Sequence, residues 1–303
     1  MTGDPYKKKT IRISTIIIEV YYMFFFKSKF FAKVKKGSWA VVTGASDGIG
    51  KEFAIQLSQK GYNIVLISRT TEKMEEVSKT IKEKEPSRET LIISADLSEK
   101  ESIEKIASKI NDLEIEIFVN NAGQSNEFPL LFHELDEKTR KNIMNINAVN
   151  FVELTKLMIE KMMEKKNGLI LTMGSLSAIH GAPLLGLYAG TKSFVLNFTN
   201  SLAYEYKDSG IKFHCFKPSF IATNMTKMRA SFTVPSAQKF VRTALNRIGS
   251  PQIDINPVPI HRVIEIFSNF FVHFFMNYVA QIGRKLRRRA IEKQQLLDKS
   301  KQD

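Results

Sequence analysis

A single cysteine, Cys215, leaves this 303-residue chain without an internal disulfide and without a thiolate metal site. Its five histidines, His133, His180, His214, His261 and His273, are scattered rather than spaced as ligands, so no metal is expected. No uninterrupted apolar run reaches the ~20 residues of a spanning helix, and no solenoid-type repeat is present. Acidic residues are also short, with 31 Asp and Glu against 45 Lys and Arg and a formal charge of +14. What remains is 43% hydrophobic and 25% charged, a globular composition with no indication of disorder. At this length it allows one large α/β domain with added segments.

The excess positive charge is concentrated in Lys7-Lys8-Lys9, between Lys27 and Lys36, and from Arg284 to Arg289. Those runs flank the most apolar stretches of the chain, which favours an anionic membrane surface over nucleic acid as the partner. Ile11 to Phe26 is apolar and aromatic but interrupted by Arg12 and Glu19. It reads as a marginal anchor or interfacial helix, with a helix packed on the protein's own surface as the alternative. No small-residue cleavage site follows, so a removed signal peptide is not expected. From Ile266 to Ile282, Phe267, Phe270, Phe271, Phe274, Phe275 and Tyr278 recur at helical spacing, opposite Asn269, His273, Asn277 and Gln281. That pattern predicts one amphipathic helix lying in an anionic interface. A core or dimer helix with a solvated basic end is the alternative.

Between these ends, short β-branched runs alternate with helical stretches. Strands are predicted at 39–43, 63–68, 91–94, 115–120, 168–173 and 211–217, and helices at 48–60, 71–85, 99–110, 136–165 and 185–209. Repeated strand–helix–strand units imply a Rossmann-type, doubly wound parallel sheet with helices on both faces. The expected organisation is a membrane-associated segment over residues 1–36, a catalytic domain over 37–250, and an amphipathic aromatic helix with a basic tail over 251–303. Ligands of such sheets bind beyond the carboxyl ends of the strands.

Four strand ends carry polar motifs. After the first, Thr43-Gly44-Ala45-Ser46-Asp47-Gly48-Ile49-Gly50 runs into a helix, and its glycines permit a tight turn that brings backbone amides to a pyrophosphate. After the second comes Ser68-Arg69-Thr70 with no acid. A 2′-phosphate needs a cation there, so Arg69 points to NADPH, with a solvated arginine as the alternative. Asp96-Leu97 follows the third strand, and Asn120-Asn121-Ala122-Gly123 the fourth. Both can contact adenine or shape the site, and either alone is equally a turn or a cap. Tyr188 and Lys192 lie four apart on one helix face, with Ser175 thirteen residues earlier. An ammonium beside a phenol favours the phenolate, and the serine hydroxyl can hold a carbonyl oxygen.

These motifs resemble those of the short-chain dehydrogenase/reductase family over about residues 36–249. The resemblance implies a catalytic set of Asn147, Ser175, Tyr188 and Lys192. It gives Asn147 a water in the proton relay, Lys192 the nicotinamide ribose, and Ile221 and Thr223 the carboxamide. Pro218-Ser219 stands where the family often has Pro-Gly. Within the family, 44–50, 66–70, 120–125, 172–175 and 183–188 look like the membrane-bound very-long-chain 3-oxoacyl-CoA reductases and microsomal 17β-hydroxysteroid dehydrogenases. The implied reaction is NADPH-dependent reduction of a long-chain 3-oxoacyl-CoA on the endoplasmic reticulum membrane, with the catalytic domain facing the cytosol. The resemblance also implies other elongation enzymes and a homo-oligomer as possible partners, and the terminal Lys299-Ser300-Lys301 is similar to a dilysine retrieval signal. Ketosteroid or 3-ketosphinganine reduction by the same residues, and a non-catalytic cofactor-binding scaffold, are the other readings.

Overall fold

The computed structural model describes Tyr21, Phe26 and residues 28–35 and 37–299. Apart from Tyr21 and Phe26, the expected N-terminal anchor lies outside the described residues, as do residues 300–303 of the lysine-rich tail. Strands β1 (Trp39–Thr43), β2 (Asn63–Ser68), β3 (Thr90–Ser94), β4 (Ile115–Asn120), β5 (Gly168–Met173), β6 (Ile211–Phe216) and β7 (Asp254–Ile255) form one parallel sheet. Its order is β3-β2-β1-β4-β5-β6-β7. The helices are α1 (Gly48–Ser58), α2 (Thr71–Lys84), α3 (Ser102–Lys109), α4 (Glu137–Met144), α5 (Asn150–Lys165), α6 (Ser177–His180), α7 (Gly186–Glu205), α8 (Ala237–Leu245), α9 (Pro259–Phe270) and α10 (Val272–Lys299).

Alternation along the strands divides the core between two faces. Val42, Leu66, Val119 and Leu171 meet Phe53 of α1, Met74 of α2 and Phe240 of α8. Their neighbours Val41, Val65, Phe118 and Ile170 meet Ile106 of α3, Met158 of α5 and Leu202 of α7. The chain winds outward from β1 in both directions, so β1 pairs with β2 on one side and β4 on the other. A crevice opens where the winding reverses, at the carboxyl ends of β1 and β4.

Three features depart from the sequence expectation. The predicted helix over 136–165 is divided by a π-helical turn, Asn145–Val149, in which the Asn150 N–H reaches the Asn145 carbonyl. The sheet continues past residue 250, because β7 pairs with β6 and brings Ile255 and Val258 into the core. The single amphipathic helix expected over 266–282 is two helices, α9 and α10, bent by 115° at Phe271. Chain continuity alone did not decide this; α9 is fixed from inside by polar contacts.

Those contacts centre on Lys217, just beyond β6. Its Nζ donates to Glu265 Oε1 at 2.8 Å and to Asp254 Oδ2 at 2.6 Å, and Arg262 Nη1 lies 2.7 Å from the same Glu265 oxygen. The Lys217 and Glu265 side chains are only 5% and 3% exposed. Burial alone raises the pKa of the Glu265 carboxyl, but the charges of Lys217 and Arg262 outweigh it and hold the group below its usual range. A depressed carboxylate adds stability at neutral pH that is lost as pH falls through its folded-state range. Removing one partner strands a buried charge, so Glu265→Ala should lower stability by about 3–5 kcal/mol. In chemical denaturation, Lys217→Met combined with Glu265→Leu should recover most of that loss; a further loss would show that the charges stabilise the fold outright.

Candidate active site

The turn after β1 is shaped by glycines that no other residue replaces without strain. Gly44 and Gly48 adopt φ values of +64° and +55°, where side chains with a Cβ are disfavoured. A Cβ on Gly50 would collide with the Gly44 carbonyl oxygen. Asp47 caps α1 by accepting from Gly48 N at 2.7 Å, and α1 has no acid in its first turn. Buried Thr43 ties this turn to the loop after β4: its Oγ1 accepts from Asn121 N at 3.0 Å and Ala122 N at 2.9 Å. Asn121 Nδ2 returns a bond to the Thr43 carbonyl at 2.9 Å.

From the turn a cleft of about 360 Å³ runs over the strand ends, lined by Gly44, Arg69, Asp96, Leu97, Ala122 and Gly123 among others. The hydroxyl of Ser68, which also lines the cleft, meets that of Ser46 at 2.8 Å. Arg69 is largely exposed and lies 3.7 Å from Asp96 Oδ2. Burial pushes the Asp96 carboxyl up, but bonds from Ser98 and the Arg69 charge prevail and lower its pKa. So although the end of β2 has no acid, β3 supplies one to the same corner. The strain-tolerant glycine turn, the N-terminus of α1 and the exposed cation fit a dinucleotide. Asn120 faces elsewhere: its amide donates to Phe151 O and Thr155 Oγ1, both at 3.2 Å, on the α5 side.

A smaller cavity adjoins the cleft, lined by Ile49, Gly123, Ser175, Tyr188, Lys192, Pro218, Ile221 and Thr223 with their neighbours. The structure therefore brings together Ser175 from the end of β5 and Tyr188 and Lys192 from α7. Lys192 Nζ sits 5.8 Å from the Tyr188 ring centre and donates to the Met173 carbonyl at 2.7 Å. Burial lowers the Lys192 pKa to about 8. Burial also pushes the Tyr188 phenol up, against a bond with Ser175 that pulls it down. The expected lowering of the phenol by the ammonium is thus not what prevails here, because desolvation dominates both groups. Ser175 Oγ additionally accepts from Ser177 N and pairs with Ser177 Oγ at 2.9 Å.

Asn147 lies inside the π-turn with both amide hydrogens committed, to Gln124 O at 2.9 Å and Thr191 Oγ1 at 3.0 Å. Its Oδ1 accepts from Gln124 N at 2.8 Å and keeps one lone pair. A Cβ on Gly123 would stand 3.5 Å from that oxygen and 3.4 Å from Lys192 Nζ, so the glycine leaves the space between them open. Asn121 stands in the expected Asn-Asn motif, whereas two contributors were missed by the sequence expectation, Thr191 and Asn224; Asn224 donates to Asp47 Oδ2 at 2.6 Å. These two meet their partners only through tertiary folding.

Replacing Lys192 by methionine removes a buried ammonium that has one carbonyl partner. Lys192→Met should raise stability by about 1–3 kcal/mol in denaturant titration. A fall instead would mean that the Met173 bond outweighs the burial of the charge.

The chain resembles known proteins at two levels. A protein of Coccidioides immitis named very-long-chain 3-oxoacyl-CoA reductase is 42% identical over 217 residues, 71% of this chain and 62% of that protein. The like-named protein of Rattus norvegicus is 35% identical over 94% of this chain and 92% of its own length. The chain spans between 62% and 66% of the lengths of five fungal relatives. Among solved structures, a 7β-hydroxysteroid dehydrogenase superposes with a TM-score of 0.74 at 19% identity, covering 81% of this chain and 97% of that one. A short-chain dehydrogenase from Sphingobium yanoikuyae in complex with NADPH reaches 0.67 at 20% identity, covering 80% and 95%. With the model of the short chain dehydrogenase family matching residues 38–233, more than half of its length, the chain belongs to that family.

Proposed function

We propose that this protein reduces long-chain 3-oxoacyl-CoA to 3-hydroxyacyl-CoA with NADPH. The observation that carries the reading is the convergence of Ser175, Tyr188 and Lys192 on one cavity beside the Gly44–Gly50 turn. The relatives' names supply the substrate class. In this reading the turn and the α1 N-terminus hold the pyrophosphate, with Ser46, Asp47 and Ile49 shaping that cradle and Thr43 acting from beneath. Arg69 takes the 2′-phosphate, and Asp96 and Leu97 face the adenine. Ala122, Gly123, Pro218, Ile221 and Thr223 border the nicotinamide end, and Lys192 bonds its ribose. When bound, NADPH supplies the hydride for C3 of the substrate.

The chain's own residues manage the oxygen and the proton. Ser175 donates to the 3-oxo oxygen and Tyr188 protonates it as charge develops, a role that a phenol kept protonated by burial is ready to fill. Lys192 lies next along the path by which that proton is replaced. Asn147 holds Gln124 and Thr191 in place and offers its remaining Oδ1 lone pair to the relay. Tyr188→Phe should reduce turnover by about 10²–10⁴ and leave NADPH affinity nearly unchanged. The deciding assay is NADPH oxidation at 340 nm with a long-chain 3-oxoacyl-CoA, estrone or 3-ketosphinganine, each repeated with NADH. Turnover of the acyl-CoA with NADPH alone supports both the substrate and the reading of Arg69. A preference for either other ketone replaces the substrate, and bound NADPH without any turnover favours a scaffold.

The protein works, in the same reading, on the endoplasmic reticulum membrane with its catalytic domain facing the cytosol. Support comes from the bend between α9 and α10, where Phe267, Phe270, Phe271, Phe274 and Tyr278 are all exposed. Arg284, Lys285, Arg288 and Arg289 follow on α10 and are exposed too. No single helix among the described residues is long and apolar enough to cross a membrane. A bent aromatic pair followed by cations suits an in-plane attachment to anionic lipid. In flotation with vesicles containing anionic lipid, Phe270→Ser with Phe271→Ser and Phe274→Ser should release most of the bound protein; unchanged flotation would place attachment elsewhere.

A further inference from the structure

Between β6 and α8 the chain runs through residues 219–233 without a helix or strand. Ser219, Ile221, Thr223, Met225 and Thr226 of this segment line the cavity that contains Ser175 and Tyr188. Phe220, Met228 and Phe232 of the segment are exposed, Phe232 by 84%. A long irregular segment with so much uncovered apolar surface depends on a small number of polar contacts to define its shape. Thr226 Oγ1 donates to Ile221 O at 2.6 Å in the first turn, Ser231 N to Val234 O at 2.8 Å near the other end, and Ala222 N to Pro235 O at 2.9 Å across the base.

Beside that Ala222–Pro235 backbone bond, the two ends of the segment are also held by one side chain on a different element. Ser219 N donates to His261 Nδ1 at 3.2 Å, and His261 Nε2 lies 3.1 Å from the Thr233 carbonyl. His261 is fully buried on α9. Only the neutral imidazole protonated on Nε2 satisfies both contacts, one as acceptor and one as donor, and burial lowers the pKa of His261 in keeping with that state. The helix behind it is held in turn, by Glu265 on Lys217 at 2.8 Å and by Asn269 Oδ1 paired with His180 Nε2 at 2.9 Å. His261 therefore stands on a fixed support and, together with the Ala222–Pro235 bond, closes the base of the segment.

We infer that His261 is a positioning residue: it clasps both ends of the 219–233 segment and so sets the shape of the wall against which the acyl part of the substrate binds. The inference rests on the proposed acyl-CoA reading for its substrate, although the clasp itself does not. Closing the base removes conformational freedom that substrate binding otherwise has to remove, so loss of the clasp acts on substrate affinity rather than on the proton and hydride steps. His261 touches neither substrate nor cofactor in this scheme.

The test compares His261→Leu with His261→Gln in the full-length protein. Leucine removes both contacts, whereas the glutamine amide offers one acceptor and one donor. With a long-chain 3-oxoacyl-CoA, His261→Leu should raise KM about tenfold, a change of about 1.4 kcal/mol, with kcat within about threefold and NADPH affinity unchanged. His261→Gln should restore most of the lost KM. Equal losses of kcat and NADPH binding in both variants would overturn the proposal in favour of a general packing role. Hydrogen exchange on the unmodified protein decides the matter where His261→Leu does not fold: a protected Ser219 amide supports the clasp, and exchange as fast as an exposed loop overturns it. This measurement needs no substrate, so absence of acyl-CoA turnover would sink the substrate reading while leaving the clasp to be judged by exchange.

Discussion

The contact on which the site depends is the one between the turn after β1 and the loop after β4. Thr43 Oγ1 receives two amides from the β4 loop, and Asn121 Nδ2 reaches back to the β1 turn. The two loops leave adjacent strands at the point where the winding reverses. Nothing but close backbone approach allows this, which is why Gly44 and Gly50 have no room for a side chain: a Cβ on Gly44 would stand 2.8 Å from Asn121 Nδ2. The cleft for a dinucleotide and the cavity for a reacting carbonyl both open from this junction. Loosening it would move Gly123, and with it the space between Asn147 and Lys192.

In the cavity beside that junction desolvation governs Tyr188 and Lys192 more strongly than pairwise charge does. Lys192 is brought down to about 8 and Tyr188 is pushed up by burial. A phenol and an ammonium close together in water would be expected to help one another ionise. Inside the fold neither has the solvent that makes ionisation inexpensive, and the Lys192 ammonium has spent a hydrogen bond on Met173. A ribose hydroxyl of a bound nucleotide would give Lys192 a further polar partner and would favour its charged form. Proton-transfer readiness in such a site is therefore set jointly by the fold and by what occupies the cleft.

Much of this was legible in the residue order. Strands 39–43, 63–68, 115–120 and 168–173 are short β-branched runs bounded by turn residues, and the structure gives them the same limits. Tyr188 and Lys192 were readable because helical spacing is a local rule, and the glycine turn because tight turns have few solutions. The illegible parts depend on distant partners. Asn147 is placed by a π-turn and by Gln124 and Thr191, and no periodicity announces a single extra residue in a helix. β7 has two residues and exists through its pairing with β6. The side chain of Asn120 sits in the same motif as Asn121 yet turns onto α5, a choice of face that the motif does not encode.

The bend at Phe271 shows the same limit in a different way. Read as a periodic pattern, 266–282 is one amphipathic helix with an apolar and a polar side. Folding makes α9 an inverted helix: His261, Glu265 and Ser268 are buried, while Val263, Phe267 and Phe270 are exposed. Such an arrangement is stable only where each buried polar group has a partner. Lys217, Arg262 and Asn256 supply partners for Glu265, Ser219 and Thr233 for His261, and the Glu265 carbonyl for Ser268. The polar inner face binds α9 to β6 and to the segment over the site, leaving the aromatic face outward at the bend. The same helix thus joins the surface of the molecule to the wall of the cavity, and the polar network beneath it is what allows so much aromatic surface to remain uncovered by the protein itself.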